Sequence, residues 1–287
     1  MIGNLAIVLF DGLAFGMLLF VLSVGLSVTL GLMNFVNLAH GAFAMLGGYV
    51  TVLVTRELGL PFLWSLPAAF IVAALVSVGF ERTLFRRLYR AGELNQVLFT
   101  IGLVFAASAA AAYVFGTAQQ PIQLPQFLRG VTEFAGLRFG SYRIFLIIIA
   151  LVITGLLVLG LEYTRFGAQI RAAVDNQRAA QGLGIDVDTV FAVTFALGSG
   201  LAGLGGALAI EMVGLDPSFG FHYLVYMMIV VSVGGLGSIA GSFVAASLLG
   251  IADVASKYFV PDLGAFMIYL IMIAVLFLRP QGLFGKR

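Results

Sequence analysis

The stretch EYTRFGAQIRAAVDNQRAAQGLGIDVD, residues 162–188, is a hydrophilic segment between two long apolar ones. Residues 144–161 before it and 189–210 after it carry no charged side chain, and each is long enough for about one membrane crossing. Charged side chains are costly in the hydrocarbon core of a bilayer, so this segment lies outside the membrane. It divides the chain into membrane-spanning parts on either side.

The loop at residues 162–188 has the pattern of short capped helices. One helical face is apolar and another is charged: Ile170, Ala173 and Val174 against Arg171, Asp175 and Arg178. The pair Asp175 and Asn176 is placed to cap a second helical turn that ends at Gly182. Gly184 suits a left-handed stop, and Asp186 or Asp188 is placed to cap the next membrane helix. The alternative, that the loop is only a solvated connector, stays open on this pattern alone.

Two motifs carry a resemblance to a known family. The wording IRAAVDNQRAAQGLGID at residues 170–186 is similar to the coupling loop of bacterial ABC importer permeases and resembles the branched-chain amino acid permease family, LivH type. The stretch GLMNFVNLAHGAFAMLGGYV at residues 31–50 is similar to that family's N-terminal hallmark, with matching positions at Asn34, Asn37, His40 and Gly41. The closing RPQGLFG at residues 279–285 agrees. Ala42 departs from the pattern, because many relatives have an acidic residue there.

The resemblance implies a function and partners. It implies a permease subunit of the bacterial inner (cytoplasmic) membrane that moves branched-chain or related neutral amino acids inward by alternating access. The implied partners are ATP-binding ABC subunits, a second LivM-like permease subunit and an external solute-binding protein. It also implies that the loop couples the permease to the ATPase through Ile170, Arg171, Asp175, Asn176, Arg178, Ala180 and Gly184.

The composition excludes a soluble domain. Hydrophobic residues make up 61% of the chain and charged residues 10%, with mean hydropathy +1.11, whereas soluble domains are roughly 25% charged. We therefore predict an all-α polytopic protein of the lipid bilayer, a single permease domain over residues 1–287. Small residues such as Ser199 with Gly203 and Ala202 with Gly206 indicate close helix packing. The chain has no cysteine for disulfides, and its net charge of +2 indicates membrane orientation and not nucleic-acid binding.

The arginines predict the orientation. Residues 81–93 contain Arg82, Arg86, Arg87 and Arg90, which predicts a cytoplasmic loop. Residues 116–143 are rich in glutamine and proline and indicate an external loop. The next crossing returns inward, which places residues 162–188 in the cytoplasm. Arg279, Lys286 and Arg287 favour a cytoplasmic C-terminus.

Two long apolar spans are interrupted. Residues 12–55 exceed one crossing and are broken by polar residues, while residues 223–252 would be about 45 Å long as one helix against a core of about 30 Å. We predict about eight transmembrane helices (roughly seven to ten), with broken or re-entrant segments near 31–41 and 234–241. The similarity of residues 41–43 to residues 241–243 indicates a possible two-fold internal repeat. Chance similarity of two glycine-rich stretches is the alternative.

Two broken segments in corresponding halves point to a site near the middle of the membrane. The candidate residues of the translocation path are Asn34, Asn37, His40, Gly41, Gly235, Gly237 and Ser238. For His40 the alternative is a histidine satisfied within a helix contact. Neither Lys257 nor Lys286 follows a phosphate-binding loop, and no carboxylate lies at ligand spacing from either histidine. We therefore expect no ATP hydrolysis by this chain, no metal and no cofactor.

The rival function is an ion-coupled secondary carrier or a channel with re-entrant helices. A carrier needs ionisable residues inside the membrane. Asp11 and Asp253 are the only carboxylates within or near the apolar runs, and both have the positions of helix-end charges, Asp253 with Lys257 four residues later. A channel is not subject to this objection.

Overall fold

The computed structural model describes residues 2–33, 35, 37–88, 92–134 and 136–285, so the predicted sites Asn34, Arg90, Lys286 and Arg287 lie outside the described residues. The helices are α1 (Ile2–Met33), α2 (His40–Val52), α3 (Phe62–Phe80), α4 (Arg86–Leu88), α5 (Glu93–Phe115), α6 (Gln126–Arg129), α7 (Ser141–Glu162), α8 (Arg165–Asp175), α9 (Gln177–Gly182), α10 (Val187–Val213), α11 (Phe219–Gly234), α12 (Ile239–Phe259), α13 (Pro261–Gly264) and α14 (Met267–Leu278). Strands β1 (Val131–Phe134) and β2 (Leu137–Gly140) pair antiparallel, with Val131 opposite Gly140. The hairpin lies within the loop predicted to be external.

Within the described residues, six helices are long and apolar enough to cross a membrane, namely α1, α3 with its extension, α5, α7, α10 and α12. The shorter apolar helices α11 and α14 bring the total to eight. This confirms the prediction of an all-α polytopic membrane protein. Both predicted breaks are present as well, because α2 begins at His40 after α1 ends at Met33, and α12 begins at Ile239 after α11 ends at Gly234.

The sequence predicted a loop over residues 81–93, but residues 81–88 are helical. Helix α3 continues through a π-helical turn, Glu81–Phe85, into α4. A second π-helical turn, Leu53–Glu57, extends α2 in the same way. The physical reason at residues 81–85 is burial, because the ring of Phe85 lies 5.1 Å from that of Phe195 and 5.6 Å from that of Phe35. Aromatic packing keeps the chain helical beyond the apolar run.

Helix α10 is the centre of the bundle, with 18 of its 27 residues buried. Its small residues admit neighbouring backbones: Gly203 faces Gly47 of α2 and Ala69 of α3, and Gly206 faces Ala44 of α2. Without a hydrophobic driving force between helices in lipid, such close backbone contacts supply the packing energy. The predicted packing helix is therefore the central one.

Helix α1 packs antiparallel against both α12 and α10. Gly12 lies against Ile251 and Gly16 against Ala246, while Gly25 lies against Gly198. Helices α5, α7 and α14 surround this core and expose aliphatic side chains such as Leu94, Leu156 and Ile273. Those outer faces suit contact with lipid chains.

The bundle has two distinct ends. At one, which we call the loop end, Met33 at the close of α1 packs against the buried cluster that includes Ile170 of α8. The C-terminal segment returns to this end, where the Leu283 amide donates to the Val233 carbonyl at 2.8 Å. At the other, the hairpin end, Arg143 pairs with Asp11 at 2.6 Å.

Helices α2 and α11 are half-helices that start inside the bundle. The Nε2 atom of His40 lies 3.1 Å from the Leu22 carbonyl oxygen, and Leu22 precedes the end of α1 by 11 residues, about 16 Å. Gly41 in turn packs against Gly220, so α11 starts beside α2. The same order of elements thus occurs twice. Helix α1 is followed by a break and the half-helix α2, and helix α10 is followed by a break and the half-helix α11.

Gly41 packs against the start of α11 at Gly220, whereas residues 241–243 lie in the first turns of α12. The break before α11 is residues 214–218, where the chain turns back into the bundle after α10. The two-fold internal repeat that residues 41–43 and 241–243 indicate stays a prediction.

Candidate functional site

The loop at residues 162–188 is two capped helices, as the sequence predicted. The Asn176 side chain accepts from the Ala179 amide at 3.0 Å, and that of Asp186 accepts from the Thr189 amide at 3.2 Å. Thr164 caps α8 in the same way, accepting from the Gly167 amide at 3.2 Å. Gly184 has a φ of 82°, the left-handed conformation expected at its position. Each helix therefore has a fixed start.

The two short helices sit firmly on the membrane helices. Ile170, Ala173 and Ala180 are buried against the first turns of α10, which contribute Val187 and Val190. Any side chain on Gly167 would collide with the carbonyl of Leu161, so α8 is held against the end of α7. Of the apolar face predicted from the sequence, Ile170 and Ala173 thus face the protein's own bundle and hold the loop in place, whereas Val174 is 38% exposed.

The opposite face of this loop is exposed. Of the predicted coupling residues, those that point outward or lie in exposed turns are Arg171, Asp175, Asn176, Arg178 and Gly184, whereas Ile170 and Ala180 face inward. Leu183 is 81% exposed between Gly182 and Gly184. Sequence reasoning missed Leu183, although a lone large apolar residue between two glycines in a hydrophilic segment was a usable signal.

Two exposed charges tie this loop to the arginine-rich segment. Arg86 pairs with Asp188, which puts residues 81–93 and 162–188 at the same end of the bundle. Such an exposed pair contributes only roughly 0–1 kcal/mol to stability. Next to it, hydrogen bonds from the Thr189 hydroxyl and amide lower the pKa of Asp186 below its ordinary value, so this cap stays charged.

The first group of predicted path residues lies in the packed interior. Asn37 and His40 are fully buried, and Gly41 is closed off by the Gly220 carbonyl. Because the Leu22 carbonyl can only accept, His40 Nε2 carries the proton. Among the described residues, the His40 Nδ1 atom and both polar atoms of Asn37 have no hydrogen-bond partner. The side chains of Asn37 and His40 thus lie in contacts between helices and not in an open channel.

The second group lies elsewhere. Gly235 and Gly237 have φ values of 99° and 78°, and Ser238 accepts from the Gly241 amide at 3.0 Å to cap α12. Gly237 packs against Gly31, which is nine residues, about 13 Å, along α1 from Leu22. The structure therefore does not bring the two groups of predicted path residues together.

A crevice opens at the hairpin end, at the close of α10. It has a volume of about 590 Å³ and is lined by Gln119, Gln120, Pro121, Ile122, Ile210, Glu211, Met212, Val213 and Gly214. The Gln120 backbone amide donates to the Leu215 carbonyl at 2.9 Å, which fixes the loop predicted to be external over the break at residues 214–218. The crevice therefore leads from solvent to residues 214–218.

Taken together, the long apolar helices, the breaks and the seated loop define a multi-pass membrane protein. Residues 8–276 match the family described as branched-chain amino acid transport system / permease component, and the chain belongs to that family. The resemblance seen in the two sequence motifs is thereby confirmed.

Individual relatives agree. The chain is 26% identical to the high-affinity branched-chain amino acid transport system permease protein LivH of Escherichia coli, over 97% of this chain and 94% of the relative. It is also 26% identical to the permease protein BraD of Pseudomonas aeruginosa, over 97% and 95%. The LivM permease protein of Escherichia coli is 26% identical over 93% of this chain and 68% of that protein. No solved structure matches the chain significantly.

Proposed function

We propose that the chain is the membrane subunit of an ATP-driven importer for branched-chain or related neutral amino acids. The observation that carries the proposal is the family match over residues 8–276, and the capped, rigidly seated loop supports it. ATP hydrolysis belongs to cytoplasmic partner subunits, and substrate arrives from an external solute-binding protein. A second permease subunit, similar to LivM, completes the membrane part.

In this proposal the loop end faces the cytoplasm. The basic residues Arg86, Arg171 and Arg178 lie at that end, in agreement with the positive-inside rule. The C-terminal segment returns to the same end, so Arg279 also lies on the cytoplasmic side. The crevice beside Glu211 then opens to the outside, where it receives an amino acid. Closure of the ATPase moves α8 and α9 as one body and alternates access between the two sides.

The proposal requires that uptake depend on ATP. The whole transporter is reconstituted in vesicles with radiolabelled leucine and the binding protein outside and ATP inside. We expect accumulation with ATP and none with a non-hydrolysable analogue. Accumulation by this chain alone, driven by a proton or sodium gradient, would show that it is a secondary carrier.

The coupling role is tested at exposed positions of the loop. Ala180 is unsuitable because it is buried, so a charge there would unseat α9. Leu183→Glu and Arg178→Glu change only the outward face, and Val131→Glu at the exposed hairpin is the matched control. A residue that anchors the contact with the ATPase contributes about 2 kcal/mol. We therefore expect Leu183→Glu to lower the ATPase activity stimulated by the loaded binding protein about 30-fold, while the amount of the transporter in the membrane stays normal. Unchanged stimulation in both loop variants would make the loop a mere connector.

A further inference from the structure

The first turns of α11 lie in the middle of the membrane layer. The ring of Phe221 stacks on that of Phe105, with centroids 5.5 Å apart. Phe105 is 12 residues after the start of α5 at Glu93 and 10 before its end at Phe115, which is roughly 15–18 Å from either end. The residue after Phe221 is therefore at the depth where lipid is most apolar.

That residue is His222, and it is exposed on the outside of the bundle. Its ring centroid lies 5.2 Å from that of Tyr223 and 5.6 Å from that of Tyr226. The Tyr226 hydroxyl also lies near that of Tyr269 of α14. An ionisable ring with neighbouring hydroxyls at mid-depth is expensive against lipid, and such groups face protein or a water-filled cavity.

Helix α12, which packs against α11, carries a charged pair, because Asp253 is 3% exposed and accepts from Lys257 at 2.7 Å. Since these two charges neutralise each other, the α11 face itself offers aromatic rings, hydroxyls and an imidazole. These groups suit the apolar side chain and the ammonium group of a neutral amino acid.

Other outward faces of the bundle are different. Between its charged ends, helix α7 exposes only aliphatic large side chains: Ile148, Leu151, Val152, Leu156 and Leu159. That surface is as apolar as lipid and needs no partner. The contrast distinguishes the α11 face from the α7 face, because both are exposed in the isolated chain and only the α11 face carries an ionisable group in the middle of the apolar layer.

We propose that the α11 face, formed by Phe221, His222, Val225, Tyr226 and Tyr269, meets a second permease subunit of the same fold and forms one wall of the amino-acid path between the two subunits. The proposal rests on the proposed function. Similarity of the chain to LivM as well as LivH supplies the partner, because a subunit of the same fold brings an equivalent face and closes the pair around a pseudo-two-fold axis.

The absence of cysteine from the sequence permits a direct test. Val225→Cys and Phe221→Cys are made in the complete transporter, with Leu151→Cys and Leu156→Cys of α7 as matched controls. A charged thiol reagent reacts with the thiolate, which forms in water and not in lipid. We expect Val225→Cys to react at least about tenfold faster than either control, and leucine with the binding protein to slow that reaction.

Cross-linking identifies the partner. A photoactivatable maleimide attached at position 225 should link to the second permease subunit, and the same probe at position 156 should not. Equal, slow labelling at positions 225 and 156 would overturn the proposal, and so would fast labelling with no link to a second permease. Wild-type uptake measured in the same vesicles separates the failures: ATP-dependent uptake with an unreactive Val225→Cys rejects only this face, whereas ATP-independent uptake rejects the proposed function.

Discussion

The half-helices α2 and α11 start side by side at Gly41 and Gly220, yet their surroundings differ. In α2, 11 of 13 residues are buried, whereas in α11 only 9 of 16 are. Helix α2 is enclosed by long helices, and its Tyr49 stacks on Phe115 of α5 with centroids 4.3 Å apart. Helix α11 is covered by α14, which has only 12 residues. One half-helix is interior and the other is partly open.

This difference separates two roles of a broken helix. In the first half the break sets where α2 starts, and its histidine is held by the Leu22 carbonyl inside the bundle. In the second half the corresponding region presents His222 outward. Substrate must be able to reach the residues that line its path. The partly open half-helix α11 is therefore the better candidate for lining the path, and the enclosed half-helix α2 the better candidate for a structural role.

The largest loss of stability is expected from a substitution at the contact between the half-helices α2 and α11. A methyl group added by Gly41→Ala would collide with the backbone carbonyl of Gly220. A collision with backbone can be relieved only by moving a half-helix as a whole, so the cost should exceed the roughly 1–3 kcal/mol of ordinary overpacking and outweigh the gain of about 1 kcal/mol in helix propensity. We expect a lower melting temperature of the purified complex and less protein in the membrane.

Two other glycine-to-alanine substitutions serve as comparisons for Gly41→Ala. Gly220→Ala should be milder, since its added methyl lies 3.0 Å from the Gly41 oxygen. Gly102→Ala in α5 meets nothing within 4 Å and should be neutral or slightly stabilising. If Gly41→Ala melts at the temperature of Gly102→Ala, the two half-helices do not pack as described.

Substitutions of the two histidines should have effects of intermediate size, and they should differ in whether abundance or uptake falls. His40→Ala leaves the buried Leu22 carbonyl without this partner, at a cost of roughly 1–3 kcal/mol, so abundance should fall, though less than with Gly41→Ala. His222→Ala removes an exposed ring, so abundance should hold while leucine uptake per transporter falls several-fold. Uptake and abundance are measured for both variants in the same membranes. The reverse pattern, with His40→Ala stable but inactive, would move the path to the first half.

Much of the fold could be predicted from the sequence, because membrane spans and capped loops are local patterns. Runs without charge gave the long helices, and Asn176 and Asp186 marked helix starts. The pairing of the half-helices could not be predicted, because Gly41 and Gly220 are brought together only by the packing of α1 and α10. For the same reason His40 and Gly237 seemed to belong to one path, whereas they lie beside Leu22 and Gly31, at different depths of the bundle.

The smallest effect on stability is expected at Asn37, and it tests the closed half-helix most directly. Neither polar atom of this buried side chain has a hydrogen-bond partner among the described residues. An unpaired buried polar group costs about 1–3 kcal/mol, so Asn37→Ala removes a penalty of about the size of the packing that it loses.

The melting temperature of Asn37→Ala should therefore stay close to that of the unmodified transporter. Tyr142→Phe is the matched control, because its hydroxyl donates to the Leu208 carbonyl at 2.6 Å and its loss should cost about 1 kcal/mol. With stability unchanged, uptake by Asn37→Ala measures only the role of this amide in transport. We expect uptake to be retained, since α2 is enclosed; a clear loss would mean that substrate reaches the first break and that both half-helices line the path.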